Sequence, residues 1–160
     1  MDGFMLPKNI VLLFSLICLV ANASASEMTA EHEKWLKDKF SLQHEKLIPI
    51  VAVADIFFAC NQVRKTEQEN YQVTDLVTKI SRNELAEKLS TCLQGELPNS
   101  DTALNFGLIG CFHEQLKDLP EADRKVKTKL VKQAIARLSK AERQSSFTQC
   151  VTDQAIGYLK

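Results

Sequence analysis

The sequence is poor in turn-forming residues and has no net charge. After residue 25 it contains only four Gly and three Pro, too few for a barrel or a sandwich with many tight turns. Twenty basic residues balance twenty acidic ones, so no excess of positive charge indicates nucleic-acid binding. The sequence contains no C-x-x-C, glycine-rich phosphate loop, G-x-S-x-G or H-E-x-x-H motif. The sequence therefore carries no signature of thiol redox chemistry, phosphate binding, serine hydrolysis or zinc proteolysis.

Histidine is also scarce. The three residues are His32, His44 and His113, and each is followed by a Glu. Neighbours on a helix point in different directions and do not share a ligand site. We therefore expect surface histidines, assign no catalytic, cofactor-binding or metal-ligating residue, and expect neither a cofactor nor enzymatic activity. A copper or zinc site formed across helices is the alternative that remains.

The first 25 residues have the order of a secretory signal peptide. A basic residue precedes an apolar run of 11 residues, 10–20, and small residues follow it. The motif A-S-A at 23–25 fits a cleavage site, so we predict a signal peptide over 1–25 and a mature chain from residue 26. The motif A-N-A at 21–23 is the alternative site. The run is shorter than the roughly 20 residues that span a bilayer, so an uncleaved anchor is less favoured, and no membrane association is expected after cleavage.

Hydrophobic periodicity predicts an all-α body, a compact bundle of about six or seven helices. Apolar residues recur at helical spacing in most segments, and Pro49 and Pro120 suit the first turns of helices. Ser81 and Ser139 each open a capping-box sequence, S-x-x-E. The expected helices cover residues 29–47, 50–63, 73–80, 82–93, 101–112, 120–138 and 140–158. Asp101 can cap the helix that begins there. The apolar stripe of the helix 120–138 is expected at Val126, Leu130, Ala134 and Leu138. The many β-branched residues of 50–63 leave a buried strand as the alternative there.

Two parts of the chain align with each other. A shift of 58 residues places 73–92 on 131–150 without a gap, and a shift of 51 aligns the Cys segments 52–60 and 103–111. The difference of seven residues is about two helical turns, inserted in the second connection. We therefore predict one domain with an internal repeat. The domain covers residues 26–160 and the two repeats cover about 50–97 and 101–159.

The cysteines beyond residue 25 are Cys60, Cys92, Cys111 and Cys150. An even number in an exported chain indicates two disulfides, with three possible pairings. We favour Cys60–Cys92 and Cys111–Cys150, because each bridge then lies within one repeat. A zinc site built from the four cysteines is the less favoured alternative.

Binding to a protein partner is the leading functional hypothesis. We expect an exported, non-catalytic binding protein that acts on a protein partner as an inhibitor, immunity factor or accessory protein. A small apolar-ligand carrier, with the segment 50–60 lining a cavity, is the alternative. A small enzyme or metal-binding protein that uses His and Glu residues is the second alternative. No glycosylation sequon follows residue 25, so the bacterial periplasm is favoured over the extracellular space.

Two groups of residues are candidates for contact with a partner, although neither is assigned as a site. Polar residues follow the first Cys of each repeat, at 61–62 and 113–115, where they would line a groove between the repeats. Eight basic residues lie within 124–143. At the level of class, an exported helical protein with two bridges is similar to small periplasmic immunity proteins, acid-stress chaperones and secreted helical carriers, but none of their motifs is present.

Cleavage after residue 25 is directly testable. Protein recovered from the exported fraction should begin at Ser26, because the small residues at 23 and 25 fit the signal peptidase. Intact-mass measurement gives the new terminus. Recovery of a chain that retains residues 1–25 would contradict the signal peptide.

Overall fold

The computed structural model is all-helical where it describes the chain. It describes the backbone of residues 8–159 and the side chains of residues 31–159 except 33 and 36. Its six helices are α1 Lys8–Arg64, α2 Val73–Thr78, α3 Arg82–Leu93, α4 Asp101–Leu116, α5 Glu121–Ile135 and α6 Lys140–Ile156. The predicted all-α class is confirmed, and the segment 50–63 is helix rather than strand. Residues 1–7 of the predicted signal peptide lie outside the described residues, and its cleavage stays a prediction.

The prediction of separate helices over 29–47 and 50–63 is wrong, because Pro49 lies inside α1. Proline removes the backbone N–H that would bond the carbonyl oxygen of Glu45. Both residues are exposed, so water can take that oxygen and the helix continues.

Contacts divide the chain into two units, Met1–Leu42 and Gln43–Lys160. The described residues of the first unit are all helical. Three large apolar side chains of this unit are exposed to solvent: Trp35, Phe40 and Leu42.

The core of the second unit is built around the end of α1. Val51, Ala54, Phe57 and Cys60 have no exposed surface, as expected for a helix that is apolar on nearly every side. By length and composition, the stretch Lys37–Arg64 of α1 could also cross a membrane. Half of its apolar window is buried inside the protein. A core helix of a soluble protein meets the same criteria, so this stretch is weak evidence for a membrane span.

Two glycines let the helices of the core approach one another. A Cβ atom at Gly110 of α4 would collide with the backbone carbonyl oxygen of Asp55 in α1, and one at Gly107 would collide with the ring of Phe147 in α6. These positions therefore serve close packing.

The disulfides join Cys60 to Cys92 and Cys111 to Cys150, with Cα–Cα distances of 6.2 and 6.3 Å. This is the favoured pairing. The bridged residues are 32 and 39 positions apart, and closing loops of that length stabilises the fold by about 3–4 kcal/mol each in the chain-entropy model.

Each bridge joins the first and last of three consecutive helices, α1 to α3 and α4 to α6. The connecting helices differ in length, since α2 has 6 residues and α5 has 15. In the alignment of the repeats, α2 corresponds to residues 131–136. The preceding residues of α5, 121–130, therefore have no helical counterpart in the first repeat, and they contain the two extra turns. That the repeats arose by duplication stays a prediction.

Only one of the two capping boxes is complete. The Ser139 hydroxyl accepts from the Glu142 N–H at 3.3 Å, and the Glu142 carboxylate accepts from the Ser139 N–H at 2.7 Å. Ser81 accepts from the Glu84 N–H at 3.3 Å, but among the described hydrogen bonds the Glu84 carboxylate accepts none from the Ser81 N–H. That carboxylate lies 3.7 Å from the ammonium of Lys88 instead, so the first predicted box is only half correct.

The start of α4 also differs from expectation. Ser100, not Asp101, is the N-cap, and its hydroxyl accepts from the Ala103 N–H at 3.1 Å. The Asp101 carboxylate pairs with Arg143 of α6 at 2.6 Å, so it ties two helices together.

Replacing the cap serines should separate the complete box from the incomplete one. Ser139→Ala should lower the free energy of unfolding by about 1–2 kcal/mol and Ser81→Ala by about 0.5–1 kcal/mol. The reason is that the Ser139 hydroxyl also donates to the Glu142 carboxylate at 2.7 Å, whereas the Ser81 hydroxyl only accepts from the Glu84 N–H. Urea melts of the two variants measure this. Equal losses would mean that this additional hydroxyl bond contributes nothing, and no loss in either would mean that these residues do not cap helices.

Candidate functional site

A broad cleft lies between α5 and the helices α1 and α4. It consists of two adjoining parts with volumes of about 610 and 540 Å³. The parts share His113, Arg124, Thr128 and Lys132, and together they are called the α5 cleft below. The α5 side of the cleft is basic and hydroxylic. The opposite side carries apolar and amide side chains: Phe58, Gln62, Val63, Asn70, Gln72 and Ile109.

The charge in the α5 cleft is positive and partly unopposed. Among the residues that the structure describes, no acidic one lines either part. Two of the lysines are paired with carboxylates outside the cleft, Lys117 with Glu114 and Lys125 with Glu121. Among the described side chains, no carboxylate lies within 4.0 Å of the other three basic groups. These are Arg124, Lys129 and Lys132.

His113 lies where the two parts of the cleft meet. Its ring centroid is 4.6 Å from that of Phe58, and the side chain is half-buried. Burial lowers the pKa of His113, and although Glu114 acts in the opposite direction, Arg124 and Lys117 lower it further. The imidazole is therefore neutral at pH 7, and it offers one donor and one acceptor to the cleft.

The outer face of α5 carries an apolar ridge, Val126 and Leu130. From the sequence, these residues together with Ala134 and Leu138 were expected to form the buried stripe of this helix. That prediction is wrong, since Val126 is 61% exposed and Leu130 is 58% exposed. The helix buries its other side, where Ile135 is the one fully buried residue.

The ridge lies in residues 121–130, the part of α5 that has no counterpart in α2 when the predicted repeats are aligned. Lys127 and Lys129 stand on its two sides at helical spacing. The helix contains five basic and two acidic residues, and the acidic ones are in its first turn, where they favour the helix dipole. The α5 surface is therefore apolar in the middle and positive around it.

The polar residues that were expected to line a groove between the repeats are divided among three places. Gln62 and His113 do line the α5 cleft. Asn61 is buried, and its side-chain oxygen accepts from the hydroxyl of Thr66 at 3.0 Å and the N–H of Glu67 at 2.8 Å. It therefore holds the loop that follows α1.

The remaining two, Glu114 and Gln115, line a second cleft of about 490 Å³ between α2, α4 and α6. This cleft is polar, and Gln154 and Tyr158 also line it.

Behind the second cleft, Asp55 is fully buried. Its Oδ1 accepts from the side-chain amide of Gln154 at 3.2 Å, while its Oδ2 and the amide oxygen of Gln154 have no partner among the described groups. Burial raises the pKa of Asp55 well above its ordinary value; the Gln154 bond opposes this shift, and the nearby Glu114 charge adds to it. A proton on Oδ2 makes it a donor, and an acid and an amide can then pair through two hydrogen bonds.

A third polar cluster, Glu67, Tyr71 and Lys88, ties the loop after α1 to α3. The ammonium of Lys88 lies 2.8 Å from a Glu67 oxygen and 3.0 Å from the Tyr71 hydroxyl. The bond to Glu67 raises the pKa of Tyr71 to about 12 and also raises that of Lys88. Both groups keep their protons at neutral pH, so neither is poised as a base or nucleophile.

The histidines do not form a metal site in the described part of the chain. His44 bonds the carbonyl oxygen of Thr152 at 2.7 Å, and His32 stacks on Trp35 with ring centroids 6.0 Å apart. Among the described residues, no group of three or more His, Cys, Asp or Glu side chains could hold a metal ion.

Comparison of the chain with known protein families, with curated proteins and with solved structures finds no match. The candidate site therefore has to be interpreted from its own geometry.

The Asp55–Gln154 pair predicts an unusual pH dependence. The pKa of Asp55 is higher in the folded state than in the unfolded state. At pH values between these two pKa values, the folded protein binds more protons than the unfolded protein, so its stability falls as the pH rises. Asp55→Asn keeps both hydrogen bonds and cannot ionise. Relative to this variant, the wild-type free energy of unfolding should fall by up to about 1.4 kcal/mol per pH unit in that window.

Urea melts at several pH values measure this difference. The stability that Asp55 contributes should be fully present below the pKa of an ordinary carboxyl. It should be lost as the pH rises through the raised pKa of Asp55. A wild type that gains stability relative to Asp55→Asn as pH rises would show that the buried carboxyl is ionised in the fold.

Proposed function

We propose that the protein is an exported, non-catalytic binding protein that acts on a protein partner, as an inhibitor, immunity factor or accessory protein. The apolar ridge of α5 is the centre of the interface. The observation that supports this is the exposure of Val126 and Leu130 on helical turns that the first repeat lacks. An apolar pair held in water costs free energy, and covering it with a partner recovers that cost.

The charge around the ridge indicates what kind of partner fits. Protein interfaces commonly have an apolar centre and a polar rim. Here the rim is basic, with Lys127 on one side and Lys129 on the other. A partner with an acidic rim around an apolar patch would be attracted from a distance and held in register, and its association would weaken as salt increases.

Export is supported by the two disulfides, since bridges of this kind form and persist in oxidising compartments. The fold depends on them, because each one closes a repeat. With the predicted signal peptide over 1–25, this favours the bacterial periplasm, with the extracellular space as the alternative.

A non-catalytic function agrees with the chemistry of the perturbed groups. Asp55 lies in the closed core and does not line a cleft, while Tyr71 and Lys88 are paired with Glu67. The carrier alternative, in which residues 50–60 line an apolar cavity, is less favoured because Val51, Ala54 and Phe57 are packed without exposed surface. The second alternative, a His/Glu enzyme or metal-binding protein, has no cluster in the described residues to support it.

The ridge can be tested with a double variant. Val126→Ser with Leu130→Ser removes the apolar centre, and because both side chains are exposed, the free energy of unfolding should change by less than about 0.5 kcal/mol. Binding to the partner should weaken by about 100-fold or more, as for two interface anchors. Affinity capture from the exported fraction, followed by titration of the purified partner, measures this.

The matched control is Leu97→Ser, because Leu97 is 67% exposed and lies outside α5. A partner that binds the wild type and this control, but not the double variant, would support the ridge. Equal binding to all three proteins would rule the ridge out as the interface. A bound partner whose affinity does not fall with salt would rule out the acidic rim.

A further inference from the structure

We infer that the α5 cleft is a binding site for a small amphipathic anion, a molecule with one acidic head and an apolar tail. This goes beyond the proposed function, since the residues of the ridge, Val126 and Leu130, do not line the cleft. The inference rests on three features of the cleft: the unopposed charge on one side, the apolar surface on the other, and the volume between them.

The α5 side of the cleft fits an acidic head. Arg124 donates to the carbonyl oxygen of Lys117 at 3.1 Å. This bond fixes the direction of the guanidinium and leaves further N–H groups for an anion. Lys129 and Lys132 follow on the same side of the helix at i, i+3 spacing, and the Thr128 hydroxyl lies between these charges. Because no carboxylate lines the cleft, an incoming anion meets these groups without competition from a neighbouring acid.

The opposite side fits an apolar tail. Its apolar surface comes from Val63, which is 67% exposed, and from the half-buried Ile109, with the edge of the largely buried Phe58 between amide side chains. An apolar side chain as exposed as that of Val63 gains stability if a tail covers it. His113 marks the boundary between the two sides, with its ring against Phe58 and its nitrogens available to a head group.

The volume of the cleft is adequate for such a ligand. The part that contains both the apolar wall and Arg124 measures about 540 Å³, within the range of roughly 300–1,000 Å³ of small-molecule sites. Its walls come from both repeats, since Phe58 belongs to the first and Arg124 to the second. The site therefore needs the whole fold, and it would not exist in either repeat alone.

The experiment is calorimetric titration of the full, bridged protein with dodecanoate, with dodecanol as the uncharged probe and acetate as the probe without a tail. One dodecanoate should bind per chain, and dodecanol and acetate should each bind at least about tenfold more weakly, because each lacks one half of the recognised chemistry. Dodecyl phosphate should bind like dodecanoate, since both present an acidic head.

Variants locate the site. Arg124→Gln with Lys132→Gln should weaken dodecanoate binding by about tenfold or more, and Val63→Asn should weaken dodecanoate but leave acetate unchanged. Lys127→Gln is the control, because Lys127 carries the same charge on the same helix and does not line the cleft. Circular dichroism confirms that each variant is folded.

Three results would overturn the inference: no binding of dodecanoate, binding of dodecanol with equal affinity, or an equal loss with Lys127→Gln. The last would show that general surface charge, and not the cleft, attracts the anion. The ridge variant, Val126→Ser with Leu130→Ser, should bind dodecanoate normally. Loss of dodecanoate binding there, with the cleft variants unaffected, would place the anion on the ridge instead.

Discussion

The two disulfides are the constraint on which the rest of the structure depends. Each holds the first and last of three consecutive helices together, with the bridged Cα atoms about 6 Å apart. The helix between them is therefore fixed at both ends by its neighbours and need not supply much of the core itself. This explains why α5 can bury little more than Ile135 and still be part of the fold, with most of its surface available for contact.

The close packing of the remaining helices agrees with this division. Residues 54–61 of α1 are all buried, and Gly110 lets the backbone of α4 approach them at Asp55. A charged carboxylate would be costly at such a crossing. The neighbouring Gln154 provides what a neutral acid needs, because one amide can both donate to it and accept from it. A polar pair is thus held in the core without a buried charge.

The sequence predicted the parts of the fold that depend on local pattern. The fold class follows from hydrophobic periodicity, and the pairing of the cysteines follows from their places in the repeat. The stripe of α5 was misassigned because this helix has two apolar rows, Val126–Leu130 on one side and Val131–Ile135 on the other, and only packing decides between them. Glu84 has the spacing of a capping-box residue, but Lys88 competes for its carboxylate. The α5 cleft combines residues from distant segments of the chain, such as Phe58 and Arg124, so no local sequence motif indicates it.

In the predicted repeat, the extra length of the second unit leaves the orientation of the residues that follow it almost unchanged. Seven residues turn a helix through about 700°, which differs from two full turns by only about 20°. Residues that follow the insertion therefore keep their orientation. The register is kept only in part: the aligned pairs Val73/Val131 and Val77/Ile135 are each buried or half-buried, but the fully buried Leu76 aligns with the exposed Ala134. An insertion of five residues would have rotated the end of α5 by about 140° and exposed Ile135. In this alignment the extra turns fall within residues 121–130, which carry the ridge and the Arg124, Thr128 and Lys129 part of the basic side of the cleft.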